Sequence, residues 1–419
     1  MNQIIYRWLS LVLIIFALTA CSSQKSQEIT TITLSGWQSS PTERELLEKV
    51  LQKFATTHPN LRVEYEAIAD QYMDVLKTRL IGEAAPDVFF LDAVEAPLMM
   101  SSGSLEPLDR YLTQEEVDLA DFVPSLLKAF KYNGSIYGLP KDFSSLALFY
   151  NQTFFKAANL TEPPTTWEQL RLLSKKLTID NNRNGRIERY GLGIAPELAR
   201  QLFMIKAFGG QLMERQGNAA FATPQSLKGL ELIINQYQQD HSSAQPSDVG
   251  AASGSEMFGQ EKVAMVIEGT WAIPYLKETF PHLNFNTAEV PVVGDQKGTM
   301  AYTVAYVMNK QTKHKQAAWQ LISYLTGKEG MKAWAQEGVV LPARQSVLSA
   351  LGYNHNSVYA PFIAGAAYAT LWQANENLPL IINHFNNQFI SALLGEQSLK
   401  SAMLKAQKAA NQEIQASHY

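Results

Sequence analysis

The sequence predicts a two-lobed α/β protein, and three features carry that expectation. Strands that alternate or run apolar recur between capped helices with one apolar face, the pattern of a wound sheet. The segment Pro86-Asp87-Val88-Phe89-Phe90-Leu91-Asp92 is apolar almost throughout, as befits a parallel strand covered on both faces. At 419 residues the chain is also too long for one small core.

In chain order, residues 29–34 alternate apolar and polar side chains and lead to Gly36-Trp37. Ser40-Pro41-Thr42-Glu43 then supplies an N-cap, a proline at the first helical position and a glutamate at the third. Leu46, Leu47, Val50, Leu51 and Phe54 give that helix its apolar face. Val63, Tyr65 and Ala67 alternate in a second strand, 71–81 reads as a helix, and 86–92 completes a βαβαβ unit. After a turn at Asn133-Gly134, residues 143–151 carry the chain out of the first lobe through Leu146, Leu148 and Tyr150. Thr165-Thr166-Trp167-Glu168 reads as a second capping box opening a helix to Leu177, and helices over 199–208 and 225–239 follow in the second lobe. The Ser-, Ala- and Gly-rich stretch 240–254 reads as a loop. Residues 263–267 form a strand ending at Gly269-Thr270-Trp271, and 302–308 form another before a helix over 315–325. The extended, proline-bearing 338–344 marks a third crossing, with helices from 360 onward. The expected division is 29–141 with 301–341 as the first lobe and 142–300 with 342–419 as the second, joined by three crossings that make a hinge.

The N-terminus has the order of a secretory signal peptide over residues 1–20: a basic Arg7, an apolar run over 8–18, then small residues before Cys21. The run falls short of the roughly 20 residues that span about 30 Å of hydrocarbon. Leu18-Thr19-Ala20-Cys21 resembles a bacterial lipobox, which implies acylation of Cys21, a polar tether over 21–28 and a lipid-anchored, extracytoplasmic protein; an ordinary secretory signal is the alternative. Cys21 is the only cysteine, so no internal disulfide and no thiolate metal cluster can form. The chain is 46% hydrophobic and 18% charged, with a net charge of −4 and no basic block. Nucleic acid is therefore a poor partner, because phosphate binding needs clustered Lys and Arg.

Several segments, in this order, resemble the family of extracellular solute-binding proteins that includes the maltose-binding proteins: Gly36-Trp37, Pro86 to Phe90, Gly138-Leu139-Pro140 leading to Phe149-Tyr150-Asn151, Pro164-Thr165-Thr166-Trp167-Glu168, Val263 to Trp271, Ala317-Ala318-Trp319, and Leu341-Pro342-Ala343-Arg344. The resemblance spans nearly the whole chain after the leader. It implies the two-lobed periplasmic-binding-protein fold, a ligand cleft between lobes that close on a hinge, and delivery of a sugar or glycosyl-polyol to an ABC permease whose ATPase is a separate chain. No glycine pair here carries the Lys-Ser/Thr of a phosphate-cradling loop, in keeping with a separate ATPase. The resemblance further implies a monomer without a cofactor. Leu91-Asp92-Ala93 lacks the tryptophan and acid–base pair of the maltose receptors at this strand end, which argues against maltose itself.

A sugar offers flat apolar faces and hydroxyl edges, so its receptor needs aromatic platforms beside carboxylates, amides or guanidinium groups. Trp37, Asp92, Asp142, Glu268, Trp271 and Arg344 lie at strand ends or crossings, where open sheets place ligands. Trp271 is the favoured platform. Trp37 and Trp372 serve as platform or core, Tyr302 as cleft wall or packing, Asp142 and Glu268 as ligand acceptors or as surface or lobe-to-lobe hydrogen bonds, and Arg344 as binder or hinge-locking ion pair; Asp87 reads as a cap or brace. Asp180, Asn182 and Asn184 begin a loop resembling an EF-hand, but its twelfth position is Gly191 and Arg183 and Arg186 add positive charge, so a polar turn competes with a weak metal site. Two other function classes fit an exported chain of this kind: a glycoside-active enzyme, for which no catalytic motif is present, and a sugar-sensing accessory lipoprotein.

Overall fold

A computed structural model of the chain describes residues 29–37, 41–69, 71–180, 187–336, 338 and 340–417. The expected leader, Cys21 and its tether, and Asn182 and Asn184 of the candidate metal loop lie outside these residues.

The first strands form as their patterns dictate. β1 (Thr30–Gly36) buries Ile32 and Leu34 and pairs in parallel with β2 (Leu61–Ala67) and β3 (Val88–Asp92). In β3 the residues from Val88 to Leu91 are all buried, as expected of a strand covered on both sides. The helix Pro41–Thr57 buries Leu46, Leu47, Val50, Leu51 and Phe54 against this sheet. Asp87 is a brace: its Oδ2 accepts from the backbone N–H and the hydroxyl of Thr33, both at 2.8 Å. A small hairpin, β4 (Lys131–Tyr132) and β5 (Ser135–Ile136), turns at Asn133 and Gly134, both with positive φ.

The strand that joins the two halves is β6 (Gly138–Asn151), buried along nearly its whole length. Its first part runs antiparallel to β11 (Met300–Met308), from Gly138 opposite Val307 to Ser145 opposite Ala301. Its second part changes partner to β9 (Val263–Gly269), from Leu146 opposite Gly269 to Tyr150 opposite Met265. The chain therefore passes from one half to the other at Ser145-Leu146. β7 (Tyr190–Gly193) lies parallel to β9 and to β8 (Ser243–Ala244), while β10 (Phe285–Ala288) and β12 (Leu341–Pro342) pair with β6 and β13 (Thr370–Leu371) with β11. The path through the sheet is β2-β1-β3-β11-β6-β9-β7-β8.

Within β6 the register slips between Val304 and Ala305 of β11, so Asp142 and Pro140 face successive residues and Lys141 is the extra one. A proline, which has no N–H to give a ladder, is tolerated at such a bulge. The bulge turns the Lys141 side chain inward, where Nζ lies 2.6 Å from Asp142 Oδ2, 4.2 Å from the centre of the Trp334 ring and 4.7 Å from that of Phe90.

Two apolar clusters form the core. One joins Ile32, Phe54, Phe89, Trp319 and Trp334; the other joins Leu148, Leu192, Phe221, Met265 and Phe385. Val347, Tyr353 and Phe362 belong to the first cluster, and the chain reaches the second at Trp372. The cap predicted near Thr165 is displaced by one residue: Thr166 Oγ1 accepts from the Gln169 N–H at 3.2 Å, and Gln169 rather than Glu168 reaches back, to the Thr165 N–H at 2.9 Å. Gln169, three residues after the cap, thus takes up the N–H of the residue before the cap rather than that of the cap itself.

Candidate functional site

The sheet register brings two acids to one residue of β11. Val304 sits opposite Asp92 on one side and Asp142 on the other, at the level where β6 prepares to change partner. Two residues earlier on β11, Tyr302 faces Ser144, and the Tyr302 ring meets Trp271 edge-on with centroids 5.6 Å apart. The Tyr302 hydroxyl donates to the Ala199 carbonyl at 2.6 Å, tying β11 to the helix Leu198–Ala207. Burial raises the Tyr302 phenol well above its ordinary range; Arg200 opposes that, and Glu268, Glu197 and Asp92 add to it. Charges from both sides of the crossing thus act on one ring.

Trp271 opens the helix Ala272–Thr279 directly after β9. A side chain at Gly269 would place its Cβ 2.2 Å from the indole, so Gly269 is needed because the ring folds over it, rather than for an unusual backbone angle. The indole Nε1 donates to Glu268 Oε2 at 3.1 Å, the Arg200 guanidinium lies 5.1 Å from the ring centre, and Arg200 Nη2 lies 3.1 Å from the same Glu268 oxygen. Half-buried and packed against both apolar clusters, Trp271 is an aromatic surface whose plane is held by a carboxylate and an arginine. Beside it lies a cavity of about 630 Å³ lined by Glu197, Arg200, Gln245, Ser255, Glu268 and Trp271 among others.

On the opposite side Asp92 ends β3. Its carboxyl is pushed up to about 6, chiefly by burial, with Glu95 and Asp142 adding repulsion and the Val94 N–H opposing them. That N–H donates to Oδ1 at 2.9 Å, and no other donor among the described residues engages the carboxyl. An acceptor in this state is suited to a ligand hydroxyl.

The structure therefore gathers Glu268, Trp271 and Tyr302, with Asp92 acting on the Tyr302 ring from the end of β3. The other expected residues are packed in the core or paired within the protein. Trp37 packs edge-on against Tyr72 and Phe90, at 5.1 and 5.6 Å. The Asp142 carboxylate is buried and occupied by Lys141 and by the Trp334 indole, which donates at 2.9 Å. Arg344 is 5% exposed; its Nε donates to the Thr326 carbonyl at 2.6 Å, its Nη1 lies 3.3 Å from Asp121 Oδ2, and it stacks over Phe122, which makes it a brace within the first cluster. Trp372 is buried in the second cluster. Asp180 lines a larger cavity of about 950 Å³ with Lys175, Tyr237 and Asp248, none of them among the gathered residues, and no group of three or more metal-ligating side chains occurs among the described residues. Arg200 and Glu197 were not foreseen; the signal was a lone cation in the mostly apolar run from Leu198 to Ile205.

No helix among the described residues is long and apolar enough to cross a membrane. Among solved structures, an ABC substrate-binding protein from Listeria monocytogenes in complex with cycloalternan superposes with a TM-score of 0.84 at 21% identity, over 92% of this chain and 99% of that one. The maltose/maltodextrin-binding domain MalE from Bdellovibrio bacteriovorus, bound to maltotriose, superposes with a TM-score of 0.80 at 22% identity, over 92% and 100%. The two-lobed fold expected from the sequence is thus shared with both. An arabinooligosaccharide-binding protein of Bacillus subtilis is 22% identical, over 96% of this chain and 95% of its own. Residues 38–332 match the family model described as bacterial extracellular solute-binding protein, and the chain belongs to that family.

Proposed function

We propose that the protein captures an uncharged oligosaccharide between its two lobes and delivers it to the permease of an ABC-type importer. The observation that carries this reading is the convergence on Tyr302 of Asp92 from one half and of Trp271, Glu268 and Arg200 from the other. A flat indole and an under-used carboxylate match the two surfaces of a sugar. The relatives named above bind arabinooligosaccharides, cycloalternan and maltotriose by their descriptions, which supports the class without choosing a member. A disaccharide of about 23 heavy atoms at about 0.3 kcal/mol per atom gives roughly 7 kcal/mol, near micromolar affinity, suited to capture and release.

In this reading the first lobe comprises residues 29–145 with 302–366, the second 146–301 with 370–417, and the lobes close about β6, β11 and the segment of β13. Cys21 carries the lipid anchor outside the cytoplasmic membrane, and the protein acts as a monomer. It binds without turnover: the Glu268 carboxylate is committed to Trp271 and Arg200, so it is a poor partner for Asp92 in an acid–base pair.

A thermal-shift screen of residues 29–419 against maltotriose, mannotriose, arabinotriose and cycloalternan tests the reading. A ligand at 100 times its Kd stabilises the folded state by about 2.7 kcal/mol. A rise in melting temperature with one of these sugars supports the proposal; no rise with any of them, or release of reducing ends during incubation, counts against it.

A further inference from the structure

Arg200 spends only part of its hydrogen-bonding capacity. Nη2 lies 3.1 Å from Glu268 Oε2, but Nη1 is buried and has no hydrogen-bond partner, although the side chain as a whole keeps 17% exposure and lines the cavity beside Trp271. A buried donor left unmade is costly, so this one calls for an acceptor from outside the described side chains. The space for this arrangement is kept open by Gly254, where a Cβ would stand 2.3 Å from Glu268 Oε1 and push the carboxylate off the guanidinium.

The charge around Arg200 limits what that acceptor can be. Glu268 already balances the guanidinium, Glu197 stands exposed at the cavity, and Asp92 acts on the same Tyr302 ring from the other side. Glu268 and Glu197 both act on this one cation and Glu256 lines the same cavity, so an incoming carboxylate or phosphate meets net repulsion. An uncharged hydroxyl or ring oxygen does not.

We propose that Arg200 contacts the ligand directly and sets its charge preference, donating through Nη1 to an oxygen of a neutral sugar stacked near Trp271. The inference rests on the carbohydrate reading above. Sugar entry draws Nη1 onto the ligand while Nη2 keeps its hold on Glu268, so one side chain joins the platform's support to the ligand itself.

The test is calorimetric titration of the panel sugar that gives the largest thermal shift. Glu268→Gln keeps an acceptor for the Trp271 indole and leaves Arg200 in place. Arg200→Met combined with Glu268→Gln removes both charges together and strands neither. The double variant should bind at least tenfold more weakly than Glu268→Gln while the two ligand-free proteins melt within a few degrees of each other. Arg200→Lys, which keeps a cation beside Glu268 but has no second N–H edge to present, should also lose about tenfold with its fold intact. Losses under threefold in both Arg200 variants, with the unsubstituted protein binding normally, overturn the inference and leave the carbohydrate reading standing. Failure of every panel sugar to bind the unsubstituted protein overturns that reading, and this inference with it.

Discussion

Replacing Asp92 with asparagine should make the protein more stable at neutral pH and a poorer receptor. The carboxyl titrates near 6 in the folded protein, mainly because burial disfavours its charge. An unfolded aspartate titrates near 3.9, so the folded state binds the proton more tightly across the window between about 4 and about 6. Stability from this group is present at pH 4, falls as pH rises through the window, and is fully lost above pH 7. Two pH units at about 1.4 kcal/mol each make the loss about 3 kcal/mol, somewhat less for the solvent that still reaches the group. Asparagine keeps an oxygen for the Val94 N–H, which the carboxylate accepts at 2.9 Å, and has no charge to bury. Asp92→Asn should therefore exceed the unsubstituted protein by only about 1 kcal/mol in urea melts at pH 4.5 and by up to about 3 kcal/mol at pH 8. Its affinity for the sugar should fall by about 1.5–3 kcal/mol, the worth of a hydrogen bond to a charged acceptor. A stability difference that is the same at both pH values, or a less stable variant at pH 8, refutes the reasoning.

Other perturbations separate site from scaffold. Trp271→Ala should cost about 2 kcal/mol or more of ligand binding in calorimetry, as central aromatic anchors do, with Trp271→Phe losing less. Asp142→Ala leaves the Lys141 ammonium buried between Trp334 and Phe90 and should cost about 3–5 kcal/mol in denaturant melts, while Lys141→Met with Asp142→Asn recovers most of it. Cys21→Ser should move the full-length protein from the detergent phase to the aqueous phase in partitioning; unchanged partitioning counts against the lipid anchor.

The first half of the fold was legible because its signals are local. Alternation in β1, the apolar run of β3 and the face of Leu46, Val50 and Phe54 each fix an element without reference to distant residues. The crossing in β6 was placed near residue 143 from its position alone, but the change of partner at Ser145-Leu146 is a matter of pairing with β11 and β9, which lie far along the chain. For the same reason Arg344 reads equally as binder or hinge-locking ion pair from the sequence: it follows Pro342 in an extended segment, and only its partner Asp121, 223 residues away, shows it to be a brace. Arg200 was passed over because a helix rich in Leu, Phe and Met reads as core, and its meaning depends on Glu268 in a strand of another part of the sequence. The contact of Trp271 with Tyr302 joins residues distant in the chain, and the reason for Gly269 beside the indole is close approach of the ring.

The central claim is that one sugar is held between Asp92 on one half and Trp271 with Arg200 on the other. A crystal structure of the protein with its best panel oligosaccharide tests it most directly. The account predicts a sugar ring parallel to the Trp271 indole, with hydroxyls within hydrogen-bonding distance of the Asp92 carboxylate and of Arg200 Nη1. An oligosaccharide bound in the cavity of Lys175, Tyr237 and Asp248, with Trp271 untouched, would contradict it.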